Sequence, residues 1–280
     1  MIIDFHTHIF PEKIAARALS KLAAVVNITP SIDGCAEGLR ASMKKAGIDI
    51  SIVLPVVTDV KQFDSIFRFA SFINETYASV TEQRLISLAG IHPDDPDYKA
   101  HLAQIKREGF VGIKVHPNYQ NVEFNDIRMK NILYAASEIG LPVITHTGLD
   151  PYTPDHEFCT PDMILDVLRD VAPENLILAH LGCNENYDEA EEKLCGQNVY
   201  LDTAYSITHV SEARFVRMVR KHGADKILFA TDCPWAEQKT CVEILKKSPL
   251  TDWEKNLILS ANAGKLLGIK QSQEQSRVVS

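Results

Sequence analysis

The 280-residue chain has no apolar run long enough to cross a bilayer, which excludes a membrane-spanning helix. It has no basic run. Its net charge of -8 and its pI near 5.7 argue against nucleic acid or an anionic membrane as a partner. It lacks any C-x-x-C pair: the six cysteines, at 35, 159, 183, 195, 233 and 241, are scattered. Strand-like residues begin at Ile2 and leave no room for a secretion signal, so the expectation is reduced thiols in a cytoplasm. G-x-G-x-x-G, Walker and G-x-S-x-G motifs are absent, which removes support for a dinucleotide fold, a P-loop and a serine hydrolase. "HEFCT" at 156–160 is not a zinc-protease helix, because Thr160 stands where a second histidine is needed. No linker or short repeat is present. One domain over 1–270 is expected, with a disordered tail over 271–280.

What remains is a rhythm. Eight β-rich apolar runs recur: "IIDFHTH", "ISIVLPV", "LISLAGIHP", "FVGIKVHP", "PVITHTG", "LILAHLG", "VYLDTAY" and "ILFATDCPW". Helical spacing separates them. Phe63, Ile66, Phe67, Ala70, Ile73 and Tyr77 fit one helical face. Thr160 before Pro161 reads as a helix start, Thr251 with Glu254 as a capping box, and His222 before Gly223 as a helix end. Strands alternating with helices imply right-handed βαβ units and a parallel sheet. Eight units over roughly 235 residues match an α/β fold of the (β/α)₈ TIM-barrel class. Phe10 to about Asp33 is the longest gap after a strand, and is expected to be a lid or substrate loop.

In such a barrel the carboxyl ends of the strands face the active site. His6 and His8 end the first strand, with Asp4 expected on the same face below them. His92 ends the third. Lys114 and His116 share the inward face of the fourth. His146 ends the fifth, His180 the sixth and Asp232 the eighth. His101, His156, His209 and His222 fall in helical or loop stretches and are expected at the surface. A single strand histidine is more often a satisfied core residue than a ligand. Six at the same end of predicted strands are harder to explain that way. Imidazole and carboxylate are the usual ligands of zinc and similar metals, and His6, His8, His146 and Asp232 supply three nitrogens and one carboxylate. Phe10, Tyr119, Tyr152, Tyr205 and Trp235 follow strand ends and could line a pocket mouth, with Phe10, Trp235 and His116 as substrate contacts. By alternation, Cys183 and Cys233 should point away from the site.

The ordered set of H-x-H, "THTG", "AHLG" and "ATDCPW" resembles the amidohydrolase superfamily. More narrowly, it resembles the branch that includes aminocarboxymuconate-semialdehyde decarboxylase. The resemblance runs from Asp4 to "NAGKLLGI". It implies a (β/α)₈ barrel with a divalent metal, usually zinc, on residues matching His6, His8, His146 and Asp232. It implies that His180 ligates a second metal or works as an acid–base group. In two-metal members a strand-four lysine, here Lys114, is carboxylated and bridges the ions. In the narrower branch one metal is usual, and one is expected here. Without a second metal, Lys114 would be a core lysine paired with a carboxylate such as Asp4.

The main expectation is a metal-dependent hydrolase of a small ester, lactone or amide, with Asp232 and His180 as proton-transfer groups. The alternatives are a metal-dependent decarboxylase of an unsaturated or aromatic acid and a barrel that only binds a ligand. The decarboxylase needs a cation or metal for the substrate carboxylate, and Arg17 is the only arginine placed near it. The partner expected is a small-molecule substrate, with a homo-oligomer left open.

Overall fold

The computed structural model describes residues 1–269, and the expected tail lies outside the described residues. Among the described residues nine parallel strands run in chain order: β1 (Ile3–Thr7), β2 (Ile50–Val53), β3 (Arg84–Ser87), β4 (Ala89–Gly90), β5 (Ile113–Val115), β6 (Val143–Thr145), β7 (Leu176–Leu178), β8 (Tyr200–Asp202) and β9 (Ile227–Leu228). Each pairs with the next within two ladders, β1 to β3 and β4 to β9. Discrete bonds cross both gaps. Leu88 N–H donates to Val53 O (3.0 Å), Phe5 N–H to Phe229 O (2.9 Å) and Asp232 N–H to His6 O (2.9 Å). The architecture is therefore a (β/α)₈ barrel in which the third expected strand is broken at Leu88. The break has a local cause. Asn74 takes both backbone groups of Ser87, accepting its N–H at 2.7 Å and donating to its C=O at 3.1 Å, so the ladder is replaced there.

Two apolar layers hold the barrel. Ile3, Phe5, Ile50, Ile52, Ile144, Ile177 and Leu228 fill the interior. A larger cluster, including Val53, Ile113, Val143, Leu176 and Phe229, packs the outer strand faces against helices. Lys114 is in register with Ile144, and Ile144 with Ile177, so Lys114 lies on the inner face as alternation required.

The helix signals hold. Phe63–Tyr77 is helical and buries Phe63, Phe67, Ala70 and Ile73. Thr160 Oγ1 accepts from Met163 N–H at the start of Pro161–Asp170, and the Thr251–Glu254 capping box is formed. Gly223 ends Glu212–His222. The segment after β1 is not a plain loop, however. Glu12–Val26 forms a helix, α1, followed by α2 (Ala36–Ala46); the helix over Phe63–Tyr77 is α3. Fifteen residues without an interior glycine or proline, with an apolar stripe, suffice for α1. Among the described residues no helix is long and apolar enough to cross a membrane. All six cysteines are free.

Candidate metal centre

The site begins with an irregularity in β1. Its register shifts between Asp4 and Thr7, so strict alternation fails there. His6 and His8 still meet at the mouth, but Asp4 does not lie below them. Asp4 turns to the helix over Gln238–Lys247. Its Oδ2 accepts from Gln238 Nε2 (2.7 Å) and Thr231 Oγ1 (2.6 Å), and its Oδ1 from Thr231 N–H (2.9 Å). Burial pushes the Asp4 carboxyl up to about 7. Asp4 thus clamps the residue before Asp232, which itself sits at φ 69°. The expected Asp4–Lys114 pair does not form. Lys114 is fully buried and its Nζ has no hydrogen-bond partner. Burial lowers its pKa to about 8, against the pull of Asp202, Asp232 and Asp150.

Hydrogen bonds fix the tautomers. His6 Nδ1–H donates to Asp202 Oδ2 at 2.8 Å, and His8 Nδ1–H to the Leu54 carbonyl at 3.0 Å. Both Nε2 atoms therefore carry lone pairs. These Nε2 atoms lie 3.1 Å apart, and Asp232 Oδ1 is 3.4 Å from the first and 3.2 Å from the second. Three acceptors face one another with no donor between them. Burial, then the Lys114 charge, depresses the His6 pKa well below the usual imidazole range, so His6 keeps its Nε2 lone pair. Tetrahedral zinc ligands at their ordinary bond lengths are roughly 3.3 Å apart. The triangle has that size, so these residues could hold a divalent cation.

His146 is not in this triangle. It belongs to a second group with His116 and Asp150, which lies 3.7 Å from His116 Nε2 and 3.8 Å from His146 Nε2. The two imidazoles stack with centroids 4.3 Å apart. His180 Nδ1–H donates to Ala204 O and His180 Nε2 accepts from His146 Nδ1–H, each at 3.0 Å. That leaves His146 Nε2 with a lone pair, buried and without a partner. His116 is set the other way. Its Nδ1 accepts from Tyr119 N–H at 3.3 Å, so its Nε2 carries the proton and faces Asp150. A protonated nitrogen cannot ligate, which makes the second group the poorer metal site. Burial lowers both imidazole pKa values strongly and raises that of Asp150.

Asp202 escaped the sequence reading. It is fully buried, and burial pushes its carboxyl up to about 6. Besides His6, it accepts the N–H groups of His180 (2.8 Å) and Ala204 (3.0 Å) through Oδ1. The rule applied to the histidines would have found it, since it ends β8, the seventh of the eight expected strands, facing inward. Asp150 lies in the loop after β6, and only the path of that loop reveals it. Gly148 sets the path: it sits at φ 79°, and a Cβ there would come within 2.3 Å of Asn184 N.

A cavity of about 810 Å³ opens over the centre. Phe10, Trp235, His116, Tyr119 and Tyr205 line it, whereas Tyr152 is half exposed and does not. Cys183 and Cys233 are buried away from it. His92 is buried outside it and accepts from Asp94 N–H. Arg17 is exposed on α1 and does not reach the cavity, and no lysine or arginine lines it among the described residues. Of the histidines expected at the surface, one is buried and one is half-buried. His222 is buried, donating to Val199 O, and His101 stacks on Phe63 and pairs with Asp95.

A family model described as Amidohydrolase matches residues 3–269. The chain belongs to that family. No curated protein matches it. Solved structures of the same fold include 2,6-dihydroxybenzoate decarboxylase from Rhizobium (17% identity, TM-score 0.70, 96% of this chain and 98% of that one). Another is 5-carboxyvanillate decarboxylase from Novosphingobium aromaticivorans complexed with manganese and 4-hydroxy-3-methoxy-5-nitrobenzoic acid (15%, TM-score 0.71, 96% of each chain). A third is an uncharacterized TIM-barrel protein from Bordetella bronchiseptica (19%, TM-score 0.72, 96% and 98%). At these identities the likeness is one of fold.

Proposed function

We propose that the chain is a metal-dependent lyase that removes CO₂ from an aromatic or unsaturated carboxylic acid. The observation that carries the proposal is the charge layout of the cavity. Apolar and aromatic side chains dominate its walls, no lysine or arginine lines it among the described residues, and of its two groups of candidate ligands the His6–His8–Asp232 triangle is the better place for a cation. A carboxylate entering here meets no cationic side chain and would be neutralised by a cation on that triangle. This replaces hydrolysis as the leading reading, and the decarboxylases of like fold support the change.

The ligand set we assign is His6, His8 and Asp232, completed by His146 through its free Nε2. Nitrogen-rich donors suit zinc, while manganese stands in the 5-carboxyvanillate enzyme. When bound, the metal supplies a positive charge that holds the carboxylate and polarises an adjacent oxygen. Asp232 takes up a proton from solvent on its second oxygen and delivers it to the ring carbon that carries the carboxylate. The C–C bond then breaks, its electron pair stays with the ring, and CO₂ leaves. His116 Nε2–H is placed to donate to a substrate oxygen, and its stack with Tyr119, 3.9 Å between centroids, keeps the ring fixed. His180 holds His146 in its ligating tautomer and so acts as a positioning residue. Lys114 offsets the buried carboxylates without bridging a second ion. Cytoplasmic location is proposed on the unpaired cysteines.

The test is a product assay. Protein loaded with Mn²⁺ or Zn²⁺ is given hydroxybenzoic acids in one set and esters, lactones and amides in another. CO₂ from the first set alone supports the lyase. Hydrolysis of the second alone restores the hydrolase, which the same centre could serve through water.

A further inference from the structure

The cavity is far larger than a benzoic acid needs, and its extra length is mainly apolar, with Thr58, Gln62 and Ser65 as polar exceptions. Ile14, Ala18, Leu22 and Val26 recur every four residues along α1 and all line it. Ala15 and Leu19, which flank the stripe on the same side of the helix, are buried and anchor α1. Across from the stripe, Ile66 and Phe69 of α3 form the facing wall. From Ile14 to Val26 the stripe spans roughly 18 Å at about 1.5 Å per residue. It is not closed off, for Ile14 remains 51% exposed. A contiguous apolar stripe left half-buried beside a reactive centre marks a ligand-binding groove. The groove is continuous with the His6–His8–Asp232 triangle, so the occupant reaches the centre. No cationic side chain lies along it to meet a second anionic group.

We infer that the substrate carries an extended, uncharged, apolar tail, lying between α1 and α3 while its carboxylate is held at the metal centre. This deepens the lyase reading and rests on it for the carboxylate end. Each methylene buried along the stripe removes about 0.8 kcal/mol of apolar surface cost from water, which is roughly a fourfold gain in affinity.

The probe is a series of straight-chain saturated acids, butanoate to dodecanoate, titrated calorimetrically into the Mn²⁺-loaded protein. These acids have no unsaturated carbon to protonate, so binding is read without turnover. Kd is expected to fall about fourfold per methylene and then level off when the groove is full. Ala18→Trp should bring the levelling to a shorter chain, and Leu22→Glu should flatten the dependence beyond it. Near-UV circular dichroism and metal content show that each variant is folded and loaded. A flat wild-type series overturns the inference whatever the variants do, as would levelling that neither substitution moves. A flat series with α1 found buried between two copies in solution would assign the stripe to a dimer instead. A sloping series without CO₂ release from any acid leaves the groove standing and removes the lyase. CO₂ release with a flat series does the reverse.

Discussion

Replacing Asp202 with asparagine changes almost nothing in shape and should disarm His6. Oδ1 of Asp202 accepts two backbone N–H groups, from His180 and Ala204. In Asp202→Asn the amide oxygen must take that side, because an NH₂ facing two buried donors would cost about 1–3 kcal/mol. The NH₂ then faces His6 Nδ1, where the carboxylate oxygen had accepted at 2.8 Å. His6 Nδ1 becomes an acceptor, and the ring proton moves to Nε2. That proton points into the triangle where the lone pair had been. Loss of a carboxylate that orients a ligating histidine typically lowers metal affinity about 10–100-fold, or roughly 1.4–2.8 kcal/mol. The fold should persist, since both backbone bonds remain. Competition against a fluorescent chelator reads the affinity, and far-UV circular dichroism the fold. A folded Asp202→Asn protein that binds Zn²⁺ or Mn²⁺ within twofold of wild type would refute the tautomer argument.

Three further outcomes are expected. Asp232→Asn, compared at saturating metal, should lose about 10²–10⁴ in turnover, well beyond its loss of metal affinity; near-normal turnover would leave Asp232 a ligand only. Lys114→Met should keep the metal stoichiometry of wild type, and a drop from two ions to fewer would revive the bridging lysine. In the metal-free protein Lys114 has a folded pKa near 8 against about 10.5 unfolded, so the unfolded chain binds more protons between those values. Wild-type stability should therefore gain up to about 3 kcal/mol from this group as pH rises from 8 to 10.5, and denaturant titrations of Lys114→Met should lack that gain. His222 is buried with its pKa lowered, so the unfolded state takes the proton first as pH falls below about 6.5. His222→Gln should then flatten the loss of stability on the acid side, which thermal melts from pH 7 to 5 would read.

The barrel was legible because its signals are local: apolar runs that alternate with helical spacing, and caps such as Thr160–Pro161. The placement of Lys114 and His116 followed from alternation alone, and alternation held because β5 is regular. It failed for Asp4 because β1 carries a register shift that no residue in "IDFHTH" announces. The helix α1 was missed because a long gap after a strand was read by its position rather than by its own apolar spacing. Asp202 was missed because attention went to histidines, although a strand-end carboxylate carries the same signal. The division of the site into a lone-pair triangle and a separate His116–His146–Asp150 group depends on tautomers, and those are set by backbone carbonyls and N–H groups, two from neighbouring strand ends and one from the turn after His116. Leu54, Ala204 and Tyr119 supply them through their backbones, so their side chains give no clue.

The most direct test is the anomalous scattering of a crystal soaked in Zn²⁺ or Mn²⁺. One strong peak per chain is expected, at bonding distance of about 2.0–2.2 Å from His6 Nε2, His8 Nε2 and an Asp232 oxygen. No peak, or a peak confined to His116, His146 and Asp150, would contradict the account.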